Sequence, residues 1–224
     1  ERSLKMVPPS VELIALCDQD DRWYPDKLES LRSGMGPAHL IYSDQRLTDA
    51  SGAVLAETLW IGRRNNHTNL ASMIIANTVT GAASMFRRRL LDQLLPFPDP
   101  PGWQFHDQWI SMTALSAGDI AYLDRPLYDY VQHRGAILGQ VSGEFEGRRG
   151  IVDRLKDRLR PWKSVSTGWR AAYFFDVLRV QNQAATLIAR SRDTMPPDKL
   201  KVLRRFENAD RSRATIVWLL LRPL

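Results

Sequence analysis

The sequence has one cysteine, Cys17, among its 224 residues, so an internal disulfide is excluded and a reducing compartment fits. No apolar run approaches the ~20 residues that a membrane-spanning helix needs. No signal-peptide pattern, internal repeat or low-complexity tract is visible. These absences, with an ordinary 44% of apolar and 25% of charged residues, leave one sizeable globular domain, or one domain with an appendage.

Charge is distributed unevenly along the chain, whose net charge is +6. Residues 1–145 hold 13 basic and 17 acidic side chains, a net −4, whereas residues 146–224 hold 18 and 8, a net +10. The basic part predicts an anionic membrane surface as a partner. The alternative is that its helices pack on the sheet and point their charges at water. Nucleic acid is not a predicted partner, because clustered aromatic stacking platforms are missing there.

An apolar run followed by an acidic cluster is the most informative stretch. Residues 13–17 predict a buried strand, and Asp18, Asp20 and Asp21 follow it directly. Acids at the end of a buried strand repel one another, and burial raises their pKa values. A hard divalent cation, Mg²⁺ or Mn²⁺, offsets that repulsion and can also bind phosphates. The alternative is an acidic turn that caps the helix predicted to begin near Pro25.

Strands and helices alternate up to residue 133, which predicts an α/β sheet with ligands at the carboxyl ends of its strands. Asp44 follows the second predicted strand, as the acidic cluster follows the first. The predicted strands are residues 13–17, 39–42, a hairpin at 47–55, 78–86, 120–123 and 127–132. The predicted helices are residues 25–32, 70–76, 90–95, 106–118, 148–160, 168–190 and 197–213.

Three further positions have both a functional and a structural interpretation. Gly81, inside the predicted strand 78–86, indicates either close approach to a ligand or a β-bulge. Asp107 begins a predicted helix, where the helix dipole alone favours an acid. His133 lies at a strand end, where a histidine is usually only a satisfied polar residue.

The order of the motifs resembles a known family. Asp18-Gln19-Asp20-Asp21-Arg22-Trp23, followed by Pro25-Asp26-Lys27-Leu28, resembles the DXD region of inverting family-2 glycosyltransferases, in the variant of rhamnosyltransferase-like enzymes. Residues 77–81, 106–109 and 130–133 resemble the second half of the same family, in its order. The resemblance implies a glycosyltransferase A-type α/β sheet over residues 1–142 and a basic helical extension over 143–224. The family's opening βαβ nucleotide-binding segment has no counterpart here, so the expected sheet is N-terminally incomplete.

The resemblance also implies roles for single residues on the donor side. Asp18 is expected to contact the ribose or base side of the nucleotide, and Asp20 to bind the metal. Asp21 is expected to orient the loop or support the metal shell, and Gly81 to lie against the donor. His133 is expected to complete the metal site, although Val131 stands where the family usually has arginine.

On the acceptor side, the resemblance makes Asp107 the general base, with His106 and Trp109 binding the acceptor. The implied reaction is metal-dependent transfer of a hexosyl or rhamnosyl group, with inversion, from a nucleotide-sugar to a hydroxyl of a cell-envelope glycan or lipid-linked acceptor. The expected location is the cytoplasm, with peripheral attachment to the membrane if the basic helices face outward. The alternative is a catalytically incomplete remnant that serves as a binding or scaffolding module.

Overall fold

The structure, a computed structural model, describes residues 1–60, 65–99, 105–132 and 162–211, with side chains from Val177 onward in the last range. The helix predicted at 148–160, the apolar segment 216–221, His133, and the side chains of Tyr173 and Phe174 lie outside the described residues.

Six strands of the described chain form one mixed sheet. They are β1 (Leu13–Ala15), β2 (Arg22–Trp23), β3 (Leu40–Asp49), β4 (Val54–Ala56), β5 (Ser84–Arg87) and β6 (Ile120–Gln132). The order is β1-β5-β3-β6-β2, and β4 pairs with the far end of β3. Only the pairing of β3 with β6 is parallel among these. Since β1 and β3 both run antiparallel to β5, strands β1, β3 and β6 point the same way.

Helices lie along both faces of this sheet. They are α1 (Arg2–Lys5), α2 (Lys27–Gly34), α3 (Leu70–Ile75), α4 (Leu91–Leu94), α5 (His106–Ala117), α6 (Trp162–Ser191) and α7 (Pro197–Glu207), with 3₁₀ turns at Gly81–Ala83, Arg88–Leu90 and Ala209–Arg211. Local chemistry explains some of the boundaries. The side chain of Asn69 accepts the Ser72 amide at the start of α3, and α7 begins with a proline. A search of the described helices finds none with the length and apolar content to cross a bilayer.

The alternation of side chains along the strands gives the sheet two buried faces. On β3, Leu40 and Tyr42 join the main core with Phe86, whereas Ile41 packs with Leu31 of α2 in a smaller cluster on the other face. A sheet covered on both sides is the layered arrangement expected of an α/β fold. The predicted α/β class with C-terminal helices is therefore confirmed.

The C-terminal helices contribute to the main core. Leu187 of α6 and Leu203 and Phe206 of α7 are buried in it. Arg190 of α6 donates hydrogen bonds to the carbonyl of Gln93 in α4, at 2.8 Å, and to that of Pro96 just after α4, at 2.7 Å. These contacts fix the C-terminal helices onto the region that precedes α5.

The predicted strands differ from the structure in four ways. The strand predicted at 39–42 and the first strand of the hairpin predicted at 47–55 are one strand, β3. The two strands predicted at 120–123 and 127–132 are one strand, β6, whose pairing with β3 shifts register where Asp44 meets Pro126. Proline lacks the amide that a regular ladder needs, which explains the irregularity. Residues 78–83 are not a strand, because β5 begins only at Ser84. Strand β2, which pairs with β6, follows the acidic cluster without any sequence signal.

Candidate functional site

The acidic loop, residues 18–21, lies between β1 and β2 and follows the carboxyl end of β1. Asp18 and Asp20 are exposed, whereas Asp21 is half-buried and its carboxylate oxygens are shielded without a well-formed hydrogen bond. Burial, with repulsion from Asp18 and Asp20, raises the pKa of Asp21 to about 7; the Val131 amide and the Lys27 ammonium lower it by less. The Val131 amide and the Lys27 ammonium therefore offset only part of the effect of burial and repulsion on Asp21.

Asp107 lies in the first turn of α5, as the helical pattern predicts. Burial raises the pKa of its carboxyl, against the lowering effects of His106 and of the backbone amides of Gln108 and Gly81. The Gln108 amide donates to Oδ1 at 2.7 Å. The result is a carboxylate that is fixed in position and is a better proton acceptor than an ordinary aspartate.

Gly81 opens the 3₁₀ turn Gly81–Ala83, directly beside the start of α5. A Cβ atom added to Gly81 would lie 2.5 Å from Nε2 of His106, well inside van der Waals contact. The glycine is therefore explained by the close approach of the His106 ring, and the bulge interpretation fails because the residue is not in a strand. A role for Gly81 against a donor stays a prediction.

A cavity of about 400 Å³ opens beside Asp107. Its lining is mostly amide, hydroxyl and aromatic side chains, with one acid and one guanidinium. The lining residues are Gln45, Leu59, Trp60, Ile75, Asn77, Thr78, Val79, Thr80, Phe105, Asp107, Gln108, Tyr130 and Arg179. These residues come from six separate stretches that only the fold brings together. Six of them lie outside the stretches that the sequence analysis compared with the family: Gln45, Leu59, Trp60, Ile75, Phe105 and Arg179.

Trp109 does not line this cavity. It is fully buried in the main core, and its indole N–H donates to the carbonyl of Leu94 at 3.0 Å. Its expected contact with an acceptor is corrected accordingly: the ring anchors α5 to the last residue of α4, and it lies two residues from Asp107 along α5. Side chains two residues apart on a helix point to different faces, and the sequence motif alone does not show which of them meets the core.

Tyr130 of β6 joins the acidic loop to the cavity. It lines the cavity, and its pKa is raised by burial and by the charges of Asp21, Asp18 and Asp20, while a hydrogen bond with Gln132 lowers it. The carboxylates of the loop therefore act on a side chain that also faces the cavity beside Asp107. The two motifs that are far apart in sequence are neighbours in the fold.

The described residues offer a divalent cation few protein ligands. Within them, no three side chains of His, Cys, Asp or Glu converge on one point. Mg²⁺ is usually held by one or two carboxylates together with substrate phosphates and water, so Asp20 and the shielded Asp21 fit such a site. Asp44, in contrast, lies inside β3, and its Oδ1 accepts the amides of Gln45 and Leu59 at 2.7 and 3.1 Å. The expectation that Asp44 ends a strand is wrong.

Lys27 is a buried charge that sequence reasoning did not single out. It lies at the start of α2 with 0% exposure, and desolvation lowers its pKa to about 8 against the attraction of Asp21, Cys17 and Asp18. Its position four residues before Leu31, on the buried face of α2, is the signal that could have revealed it.

Comparison with known proteins supports the fold. No protein-family profile and no curated protein sequence matches this chain. Among solved structures, the chain is similar to residues 1–349 of S. aureus TarS, crystallised in complex with UDP-GlcNAc, with a TM-score of 0.50 and 13% sequence identity. The match covers 99% of this chain and 55% of that one, so the chain spans about half the length of this neighbour. At this identity the likeness shows the α/β fold with its C-terminal helices.

Proposed function

We propose that this protein is a glycosyltransferase that moves a sugar from a nucleotide-sugar to an acceptor hydroxyl with inversion of configuration. The observation that carries the proposal is a half-buried carboxylate, Asp107, with a raised pKa, facing a cavity of sugar size beside the acidic loop. The similar fold of TarS, whose crystal structure holds UDP-GlcNAc, supports a nucleotide-sugar donor.

The cavity lining has the chemistry that binds carbohydrate. Aromatic faces such as Trp60 and Tyr130 can stack on the apolar face of a sugar ring, and amides such as Gln45, Asn77 and Gln108 can bond its hydroxyls. In the proposed step, the acceptor oxygen attacks the anomeric carbon from the face opposite the leaving group. Asp107 takes the hydroxyl proton, the bond from the anomeric carbon to the phosphate oxygen breaks, and the nucleoside diphosphate leaves with the electron pair.

The fixed position of Asp107 is central to this step. A carboxylate is a weak base, so much of its effect comes from being held at hydrogen-bond distance from the hydroxyl. Its raised pKa brings it closer to the operating pH, which favours proton transfer. The amides of Gln108 and Gly81 keep the carboxylate oriented while burial keeps it basic.

The acidic loop is the proposed site of the diphosphate and its cation, with Asp20 and Asp21 as the ligands in the described chain and His133 as a further candidate. A bound Mg²⁺ or Mn²⁺ supplies positive charge that balances the leaving diphosphate. Asp18 is proposed to contact the nucleoside, and His106 the acceptor. His106 is exposed at the start of α5, next to the base.

The acceptor is proposed to be a glycan hydroxyl of the cell envelope, in a lipid-linked form at the cytoplasmic face of the membrane. Helix α7 turns Leu203 and Phe206 into the core and exposes Lys201, Arg204 and Arg205 around an open groove. A basic surface of this kind attracts anionic lipid and would bring the enzyme to a membrane-bound acceptor.

The proposal is tested with the purified protein, Mn²⁺ and UDP-, GDP- and dTDP-sugars. Calorimetry is expected to show binding of one nucleoside diphosphate in the presence of Mn²⁺, and the corresponding sugar donor is expected to be consumed. Binding of the diphosphate with no consumption of any donor, with or without envelope lipid extract, would favour the non-catalytic binding module. Absence of binding to every nucleotide would reject both.

A further inference from the structure

We propose that Lys27 is a positioning residue that holds the acidic loop and the turn behind Asp107 at a fixed spacing. The inference rests on the proposed function, since it assigns the loop to the donor and Asp107 to the acceptor. It goes beyond that function, because Lys27 itself contacts neither substrate.

The ammonium of Lys27 is enclosed by groups from three parts of the chain. Its Nζ atom lies 3.9 Å from the ring centroid of Trp23 in β2 and 4.1 Å from that of Tyr128 in β6. It donates a hydrogen bond of 2.5 Å to the carbonyl of Ala82, 55 residues away in sequence. A buried charge without partners is costly, but two aromatic faces and a carbonyl compensate it here.

The carbonyl of Ala82 belongs to the turn that supports the proposed base. The neighbouring Gly81 presents its backbone amide to the Asp107 carboxylate and lies against the ring of His106. The same turn is fixed on its other side, because the hydroxyl of Ser84 donates to the Gly81 carbonyl at 2.7 Å. The hydrogen bond from Lys27 to this turn therefore helps to fix the position of Asp107.

Lys27 also interacts with the acidic loop. Trp23 lies two residues after the loop, and the positive charge of Lys27 attracts Asp21 and Asp18. With 0% exposure, Lys27 is not placed to reach a phosphate in the cavity. Lys27 therefore links the acidic loop, the proposed donor site, to the turn that supports Asp107, the proposed base. An in-line transfer depends on the distance between these two groups.

The test compares Lys27→Met with Leu31→Ala. Methionine keeps most of the volume and removes the charge and the hydrogen bond. Leu31 lies one turn further along the same helix with the same 0% exposure, on the cluster under α2, so its truncation lowers stability without touching the turn. For both variants and the wild type, the melting temperature, the Kd of UDP with MnCl₂ and the kcat for release of UDP from UDP-GlcNAc are measured.

We expect Lys27→Met to lower kcat roughly 10- to 100-fold, the range that a misplacement of about 1 Å produces, and to weaken binding of UDP by less than about threefold. Leu31→Ala is expected to lower the melting temperature while keeping the kcat of the folded protein. The proposal is overturned if Lys27→Met keeps the wild-type kcat, or if it lowers only the melting temperature, as Leu31→Ala is expected to do. Lys27 would then be a structural residue.

Trp23→Leu provides a second variant if Lys27→Met does not fold. It removes one aromatic face from the ammonium and leaves the lysine in place, and it is expected to lower kcat more than it weakens binding of UDP. The reverse pattern would overturn the proposal. If the wild type neither binds UDP nor consumes UDP-GlcNAc, the uridine form of the proposed function fails by itself, and the role of Lys27 fails with it.

Discussion

The acidic loop and the first turn of α5 both bring carboxylates close to Tyr130, and they hold them differently. In the loop, Asp18 and Asp20 are exposed, and the carboxylate oxygens of Asp21 are shielded from solvent without a well-formed hydrogen bond. At α5, Asp107 is half-buried and faces two backbone amides. The loop concentrates three acids whose repulsion helps to raise the pKa of Asp21, whereas the turn has a single carboxylate held by backbone amides. The difference is the one expected between a site for a bound cation and a site for a base.

The largest effect is expected for Asp107→Asn, which keeps the shape of the side chain and removes the proton acceptor. Loss of a general base typically lowers the rate roughly 10²- to 10⁴-fold. Steady-state kinetics is expected to show this in kcat, while calorimetry shows unchanged binding of nucleoside diphosphate with Mn²⁺. Asp119→Asn, an exposed acid just beyond the same helix, is the matched control. A normal turnover in Asp107→Asn would show that Asp107 is only a first-turn acid that interacts favourably with the helix dipole.

A second effect is expected for Asp20→Asn, on the loop. In the wild type, UDP and Mn²⁺ are expected to tighten the binding of one another by about tenfold, within the usual range for coupled ligands. The substitution removes one charged oxygen ligand, so this coupling is expected to disappear without loss of the fold. Glu29→Gln, an exposed acid on α2, is the control and is expected to keep the coupling. Equal coupling in wild type and Asp20→Asn would exclude Asp20 as a ligand.

A smaller effect concerns pH. Because burial raises the pKa of Asp107, kcat/KM is expected to rise as pH increases through that raised value and deprotonates the base. The same shift has a consequence for stability. The stabilising contribution of the protonated carboxyl is complete below the ordinary pKa of 3.8 and is lost as pH rises through the raised value.

Asp107→Asn does not titrate, so its free energy of unfolding relative to the wild type is expected to grow between pH 4 and neutral pH. Denaturant unfolding of both proteins across this range measures the difference. A difference that is constant with pH would show that the pKa of Asp107 is the same in the folded and unfolded states.

The smallest effect is expected at the basic surface of α7. Flotation with anionic vesicles is expected to recover the protein at low salt and less of it at high salt, since charges are screened within ~8 Å at physiological ionic strength. Each basic residue near the surface is worth about 1 kcal/mol at most. Reversing the exposed Lys201 and Arg204 to glutamate is expected to abolish flotation.

The control reverses Lys5 and Arg32, which are exposed on other helices of the chain. If both pairs of reversals change flotation equally, net charge and not the surface of α7 is responsible. If the wild-type protein does not bind anionic vesicles at low salt, these helices have a purely structural role.

Local patterns were enough to predict the elements near the site, but not their pairing. The apolar run before Asp18, the hairpin around Ser51 and Gly52, and the helix that begins at His106 are each encoded within about ten residues. Strand β2 and the continuous β6 depend on each other across 105 residues, as the hydrogen bond between Tyr24 and Asp129 shows. No window along the sequence contains that information.

The same limit applies to the candidate site. Asp107 could be found because its helix start is local. Trp109 was assigned to the wrong surroundings because a helix start does not reveal which face meets the core. Lys27 was overlooked because a lysine is normally exposed, and its burial depends on two rings and a carbonyl that come from elsewhere in the chain.

The main core includes Leu4 near the start of the described chain and Phe206 near its end. A ribosome synthesises the intervening 200 or so residues at about 5–20 residues per second, so the first part of the core waits about ten seconds or more before α7 completes it. During that interval the surfaces of α3 and α5 that later meet the C-terminal helices lack their final cover. We expect a chain that stops before α7 to depend on chaperones and to aggregate, whatever the state of Asp107 and the acidic loop.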